Sequence, residues 1–412
     1  MITFRPYQKE IIVKAIYKLN IYQFVYLAME VRTGKTLTSL GIAQQLEVNN
    51  VLFITKKKAI KSIQDDYDKL NPNYNIYVIN YESLHKAPET KWDFIVIDEA
   101  HTLGAYPKPN KREQAVNKLI KKHRSYVCVM SGTPTPESYS QMYHQVYGIP
   151  KNPFNKYVNF YKFANHYVHK TQKIINSFPV NNYDNGKITI LEAMNKHIIR
   201  FSQVDAGFQV KTDENILYVT LNENTRNVIQ RLKKEKVVGN YTTNKFVLGD
   251  TPVKLMQKLH QLYSGTVKFE DGSSMVIDHS KAEFIKKHFK GKKIAIFYKF
   301  KAELVALQDT FQDDLTTELS LFKETNKNIA LQIVSGREGI SLSDAECLVY
   351  YNIDFSATSY LQSKDRMTTK NRKENKIYWI FSDKGIENKI YRAVTKKKDY
   401  TLQYFKRDFL TL

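Results

Sequence analysis

The chain has 412 residues, 42% of them hydrophobic, and 63 Lys and Arg stand against 41 Asp and Glu for a formal net charge of +22. That length and apolar content allow two globular domains and exclude wholesale disorder; there is no membrane-length apolar run, and "MITFRPYQKE" at the N-terminus lacks the charged-then-apolar pattern of a secretory signal. The positive surplus suits a polyanion such as nucleic acid or an anionic surface, although the abundance of Lys, Asn, Tyr and Ile, the signature of an AT-rich genome, inflates lysine on its own account.

In chain order, apolar runs begin at "FVYLA" (24–28), followed by "NVLFIT" (50–55), "IYVIN" (76–80), "DFIVID" (93–98) and "SYVCVMSGT" (125–133). Helix-like stretches such as "TLTSLGIAQQL" and "KAIKSIQDDYDKL" lie between them. Strands alternating with helices predict parallel βαβ units covered on both faces. The stretch from about 135 to 285 is different, aromatic and helical in places ("FNKYVNFYKFANHYVHK") and looped in others ("NNYDNG", "FEDGSS"). Alternation then resumes with "KKIAIFY" (292–298), "NIALQIVS" (328–335), "ECLVYYN" (346–352) and "KIYWIFS" (376–382). The expectation is an α/β fold of two lobes, 1–205 and 206–412, with helical elaborations between them. Cys128 and Cys347, in separate apolar runs, are expected as buried thiols in a reducing, cytoplasmic setting.

Two short stretches carry chemistry. Gly34-Lys35-Thr36 opens a helix directly after the first strand, where backbone N–H groups and the positive end of the helix dipole can cradle phosphates. Lys35 would reach the β/γ-phosphates and the Thr36 hydroxyl would ligate Mg²⁺. The general loop pattern places Gly at position 29, and this chain has Met29. The run from Phe94 to Ile97 ends in Asp98 and Glu99, at the strand edge where open α/β sheets bind ligands. A nucleotide site needs one acid to hold Mg²⁺ and another to orient the attacking water, and this pair supplies both.

These stretches fall into a longer series. "DEAH" (98–101) matches motif II of the superfamily-two helicase-type ATPases, and "LAMEVRTGKT" (27–36) resembles motif I of their Swi/Snf-like branch. "FRPYQKE" (4–10) resembles the N-terminal glutamine motif, "INYESL" (79–84) motif Ib and "SGTP" (131–134) motif III. "KKIAIFYKFKAEL" resembles motif IV, "SGREGISLSDAECLVYYNIDFS" motif V with its trailing Asp354, and "QSKDRMTTKNR" motif VI. The matches keep the family's order from about residue 4 to 373. The resemblance implies two tandem RecA-like lobes, ATP with Mg²⁺, and a nucleic-acid track. It implies nucleotide contacts from Arg5, Gln8, Arg32, Thr33, Gly34, Lys35, Thr36 and, in motifs V and VI, Gly339 and Arg366, with Gln8 reading the adenine edge. Mg²⁺ falls to Thr36 and Asp98, catalysis to Lys35, Asp98, Glu99 and Arg366, and coupling to His101, Ser131, Thr133 and Gln362.

Motif VI departs from the pattern, which places arginines four and seven positions after the glutamine. Here Gln362 is followed by Arg366 and then by Thr369. Three readings stay open: Lys370 or Arg372 swings in, Arg366 acts alone, or hydrolysis is slow. For the track, Lys56, Lys57 and Lys58, with Lys61 close behind, occupy the motif Ia position, and Arg337 in motif V touches either a backbone phosphate or the nucleotide. Clusters at Lys286, Lys287, Lys290, Lys292 and Lys293 and at Lys396, Lys397 and Lys398 map onto no family contact surface. The expected function is an ATP-driven translocase or helicase on double-stranded or branched DNA, in a bacterial or phage-infected cytoplasm. The rival readings are an RNA-directed helicase of the same superfamily and a nucleotide-switched DNA clamp with weak hydrolysis.

Overall fold

A computed structural model describes residues 3–175, 178–240, 245–336, 340–369 and 372–396. The chain divides into two compact units, Met1–Phe208 and Gln209–Leu412.

The first unit is built on strands β1 (Phe24–Met29), β2 (Asn50–Thr55), β3 (Asn75–Asn80), β4 (Phe94–Ile97) and β5 (Tyr126–Met130). A hairpin of β6 (Thr171–Ile175) and β7 (Phe178–Asn182) follows, and then β8 (Ile198–Phe201). Six of these strands form one sheet in the order β3-β2-β4-β5-β1-β8, with every pairing parallel. The strands read as continuous apolar runs because both faces are covered. Phe94 and Val96 of β4 enter a core shared with Leu40, Ile42 and Ile63 from the helices Lys35–Gln45 and Ile60–Leu70. Ile95 and Ile97, pointing the other way, enter a second core with Val116 and Ile120 of the helix Lys111–His123 and with the aromatic residues Tyr143, Phe160 and Phe163.

The second unit contains β9 (Lys211–Val219), the hairpins β10 (Val237–Asn240) with β11 (Lys245–Leu248) and β12 (Thr266–Lys268) with β13 (Ser274–Val276), then β14 (Ile294–Tyr298), β15 (Leu315–Thr316), β16 (Asn328–Gln332), β17 (Cys347–Tyr350) and β18 (Glu374–Ser382). Its six-stranded sheet runs β15-β16-β14-β17-β18-β9, again wholly parallel. Alternate residues again divide between two cores: Ala295 and Phe297 on one face, Ile294 and Ile296 on the other. Two parallel sheets with helices on both faces are the expected tandem RecA-like α/β architecture.

Most anticipated strands lie within a residue or two of the apolar runs. The run 328–335 is an exception: the strand stops at Gln332, and Ile333–Gly336 turn helical. Gly336 there lies so close to Phe297 that a Cβ would stand 2.6 Å from its ring. Strands β8 and β9 were not anticipated from the sequence pattern. Cys128 and Cys347 are both free and buried. Among the described residues no helix is long and apolar enough to cross a membrane.

Candidate nucleotide site

The helix Pro6–Tyr22 starts with Pro6 at its first turn and with the Gln8 side chain accepting from the Arg5 N–H at 2.9 Å. Gln8 is 2% exposed, and its amide nitrogen donates to the Gly34 carbonyl at 3.2 Å and lies 3.4 Å from the Thr38 hydroxyl. The side chain expected at the adenine edge thus spends its hydrogen bonds on the underside of the loop that follows β1. Arg5 Nη1 donates to the Tyr7 hydroxyl at 2.8 Å, and that hydroxyl donates to the Thr33 carbonyl at 3.1 Å. The Tyr7 ring stacks on Phe201 of β8 at 4.6 Å between centroids.

The loop Glu30–Gly34 contains two left-handed residues, Arg32 (φ 64) and Gly34 (φ 83). Gly34 is needed on two counts. Its φ disfavours a side chain, and an added Cβ would lie 2.6 Å from Gln8 Nε2. The buried Thr33 hydroxyl ties the loop back to the Glu30 carbonyl at 2.7 Å. Lys35 and Thr36 then open the helix Lys35–Gln45, and Lys35 Nζ donates to the Met29 and Glu30 carbonyls at 2.9 and 3.2 Å.

β1, β5 and β4 are consecutive neighbours in the sheet, so their C-terminal ends bring Lys35, Ser131 and the Asp98–Glu99 pair to one edge. Gly132 leaves the Lys35 ammonium its room, for a Cβ there would stand 3.3 Å from Nζ. Asp98 is half-buried and accepts from the Thr55 hydroxyl at 2.8 Å. Desolvation first, and then the neighbouring Glu99 charge, push its carboxyl up to about 6, while Lys35 and the Thr55 hydroxyl pull the other way. The Tyr81 hydroxyl donates to the Asp98 carbonyl. Glu99 holds a left-handed conformation, φ 51 and ψ 43, a strain of about 1–3 kcal/mol that concentrates at functional sites. His101 Nδ1 lies 3.2 Å from a Glu99 carboxylate oxygen and 3.1 Å from Ser131 Oγ, so one edge of the imidazole faces both. Ser131 Oγ also accepts from the Thr133 N–H at 3.1 Å.

A family model of the SNF2-related domain matches residues 27–271, more than half of the chain. The chain belongs to the SNF2-related family. It is therefore a helicase-type, nucleic-acid-dependent ATPase of the Swi/Snf-like kind, and membership implies ATP as its nucleotide. Two solved structures of the Sulfolobus solfataricus SWI2/SNF2 ATPase core are similar to it. The core in complex with dsDNA is 15% identical with a TM-score of 0.43, over 99% of this chain and 92% of that one. The core domain by itself is 17% identical with a TM-score of 0.42, over 96% and 89%. No curated protein sequence matches the chain.

The remaining motif residues of this SNF2-related chain are placed as follows. Lys57 and Lys58 begin a single 3-10 turn, Lys57–Ala59, directly after β2, with Lys56 as its cap and Lys57 and Lys58 exposed. In the second unit Gln362 is buried on the helix Ala357–Lys364. Arg366 follows in a 3-10 turn, 7% exposed, its Nε donating to the Gln362 carbonyl at 2.9 Å. Arg372 binds backbone carbonyls, those of Ser343, Ala345 and Glu346 at 3.1, 2.8 and 2.8 Å and that of Glu374 at 3.1 Å. Arg337, Gly339, Lys370, Lys397 and Lys398 lie outside the described residues.

Sequence reasoning missed Thr55 and Tyr81 as supports of Asp98. The parallel register pairs Ile54 with Ile97, which places Thr55 beside Asp98; the signal was the polar residue closing "NVLFIT".

Proposed function

We propose that the chain is an ATP-driven motor that moves along double-stranded or branched DNA, with an ATP-binding lobe over residues 1–205 and a second helicase-type lobe over 206–412. The observation that carries this reading is the meeting, at the ends of β1, β5 and β4, of Lys35, Ser131 and Asp98–Glu99, with His101 against both Ser131 and Glu99. Hydrolysis that changes the surroundings of Glu99 would be felt at Ser131 through that imidazole.

The residues fit Mg²⁺-ATP. Thr36 and Asp98 offer hard oxygen donors, and burial together with the adjacent Glu99 charge raises the Asp98 carboxyl's affinity for a proton, a cost that a bound cation would offset. They would hold the magnesium, which when bound neutralises charge on the β/γ-phosphates. Lys35 would exchange its two loop carbonyls for phosphate oxygens. Glu99 would orient the attacking water and take its proton, and Arg366 would serve as the motif VI cation. Gln8, Arg5, Arg32 and Thr33 would shape the loop and the nucleotide's bed. Support for a DNA track comes from the net charge of +22 and from the lysines at the turn after β2. A cytoplasmic setting in a bacterium or phage-infected cell accords with the reduced cysteines and the lysine-rich composition.

One observation favours a second reading, a DNA clamp that binds ATP and hydrolyses it weakly. Thr369 stands where the second motif VI arginine is expected, Arg366 is buried, and Arg372 is engaged with carbonyls. ATP turnover measured with duplex, forked and single-stranded DNA and with RNA tests both. The motor requires strong stimulation, greatest with duplex or forked DNA. Nucleotide-dependent DNA binding without stimulated turnover would leave the clamp, and equal or better stimulation by RNA would replace the DNA motor with an RNA helicase.

A further inference from the structure

Between β5 and β8 the chain departs from simple strand–helix alternation. Residues 151–187 contain six lysines and one acid, Asp184. The stretch is anchored by one aromatic face: Phe160, Phe163, Ala164 and Tyr167 of the helix Phe160–Tyr167 are buried in the sheet's core with Phe154 and Tyr183. The opposite face of that helix exposes Tyr161, Lys162, Asn165 and His166.

The basic groups around this face are contiguous. Lys156 Nζ lies 5.2 Å from the centre of the Tyr157 ring, and that ring lies 6.0 Å from His166. Lys187 Nζ donates to the His166 carbonyl at 2.9 Å, and Lys170 Nζ to the Asn165 side chain. The backbone bonds His169 N–H to Asn185 and Lys187 N–H to Tyr167 stitch the two edges together.

Among the described residues the partners of these ammonium groups are neutral. Lys151, Lys170 and Lys187 rest on amide oxygens and Lys156 on an aromatic ring. Elsewhere in the chain some surface cations meet carboxylates, such as Lys122 with Glu89 and Lys254 with Asp250, while others, such as Lys18 and Lys286, rest on backbone carbonyls. A stretch with six lysines to one acid, several of its ammonium groups oriented by neutral acceptors, is suited to an anionic partner larger than a single ion.

We propose that the surface carrying Lys156, Lys162, Lys170 and Lys187 forms a second nucleic-acid contact, which grips the phosphate backbone of duplex DNA outside the positions of the helicase motifs. This rests on the DNA-motor reading for its partner, but its test does not pass through hydrolysis. The triple variant Lys156→Glu/Lys170→Glu/Lys187→Glu and wild-type chain are titrated against a fluorescent DNA duplex, without nucleotide, over a range of salt. A control variant carries the same charge change at Lys111, Lys118 and Lys122. The patch variant is expected to bind about tenfold or more weakly. Its log-affinity against log-salt slope should shrink by up to about 0.9 for each phosphate it no longer neutralises. Basal ATP hydrolysis and thermal melting are expected to match wild type. Equal affinity and slope in wild type and a patch variant that melts normally would overturn the proposal. So would equal losses in the control variant, tighter wild-type binding to polyglutamate than to duplex, or no duplex binding by wild type. Duplex binding without stimulated hydrolysis would remove the motor reading and leave this second grip standing or falling on its own titration.

Discussion

At the scale of single residues the proposed nucleotide site would separate groups that bind from groups that react. Lys35 would touch phosphate oxygens in the ground state, whereas Glu99 would act on the attacking water, so its contribution would fall mainly in the transition state. Lys35→Ala is therefore expected to weaken nucleotide affinity and abolish turnover, and Glu99→Gln to abolish turnover while retaining ATP. Equilibrium binding of a fluorescent ATP analogue beside steady-state hydrolysis checks the pair; near-normal turnover in either folded variant would refute the assignment. Gly34→Ala makes a conformational test of the same loop. The left-handed φ of 83 costs a side-chain-bearing residue about 1–2 kcal/mol, and the new methyl would press on Gln8. Lower thermal stability together with weaker nucleotide binding is expected, whereas a neutral outcome would mean that the loop relaxes freely. In motif VI, Arg366→Ala is expected to cut turnover by about 10³-fold, the magnitude of an arginine finger, and Thr369→Arg to leave it unchanged or raise it. Arg372, which binds carbonyls just ahead of β17 and at the start of β18, should lose stability on replacement by Ala and keep its turnover per folded molecule. Normal turnover in Arg366→Ala with none in Arg372→Ala would shift the register of the motif.

At the scale of elements the second unit depends on polar groups inside its fold. Lys281 and Glu387, both fully buried, pair at 2.8 Å and join the helices Ser280–His288 and Glu387–Val394. Lys281→Met strands a carboxylate, and a loss of about 3–5 kcal/mol is expected in denaturant unfolding of the chain. Combining it with Glu387→Leu should recover most of that loss, because the cost lies in the unpaired charge. Glu214 of β9 gathers a second network: it accepts from Tyr360, Trp379 and Tyr391 at 3.0 to 3.2 Å and pairs with Lys364. Tyr360 and Lys364 lie on the helix Ala357–Lys364, which carries Gln362. This network also explains what was illegible in the sequence. "KTDENILYV" opens with polar residues and does not read as a buried strand, yet β9 pairs along its full length with β18. Its Glu214 is an acceptor for donors from residues 146 to 177 positions away, which no local pattern reveals. The Gly34-Lys35-Thr36 turn into a helix and the Asp98–Glu99 pair were legible because each is a short local signal at a strand end. Their supports, Thr55, Tyr81 and the His101–Ser131 contact, arise from the register of neighbouring parallel strands, and the left-handed Glu99 from a turn that follows β4.

For the whole molecule the decisive quantity is how charge converts into grip on a track. A surplus of +22 is distributed over many lysines, and a bare surplus would bind any polyanion. The motor reading is narrower: Lys56, Lys57 and Lys58, held at the turn between β2 and the next helix, should touch backbone phosphates while ATP turns over. Replacing the three by Ala is expected to raise the duplex concentration needed for half-maximal stimulation and to leave basal hydrolysis intact, because none of them belongs to the nucleotide edge. Counterion release makes the stimulation fall steeply with salt in wild type. The slope should flatten in the variant by up to about 0.9 per phosphate left without its lysine, with little dependence on base sequence. If these lysines only solvate the start of a helix, the stimulation curve of the variant will overlay that of wild type. The same curve taken with RNA of matched length settles the choice of track, since a duplex-DNA motor must respond more strongly to DNA and an RNA helicase must not.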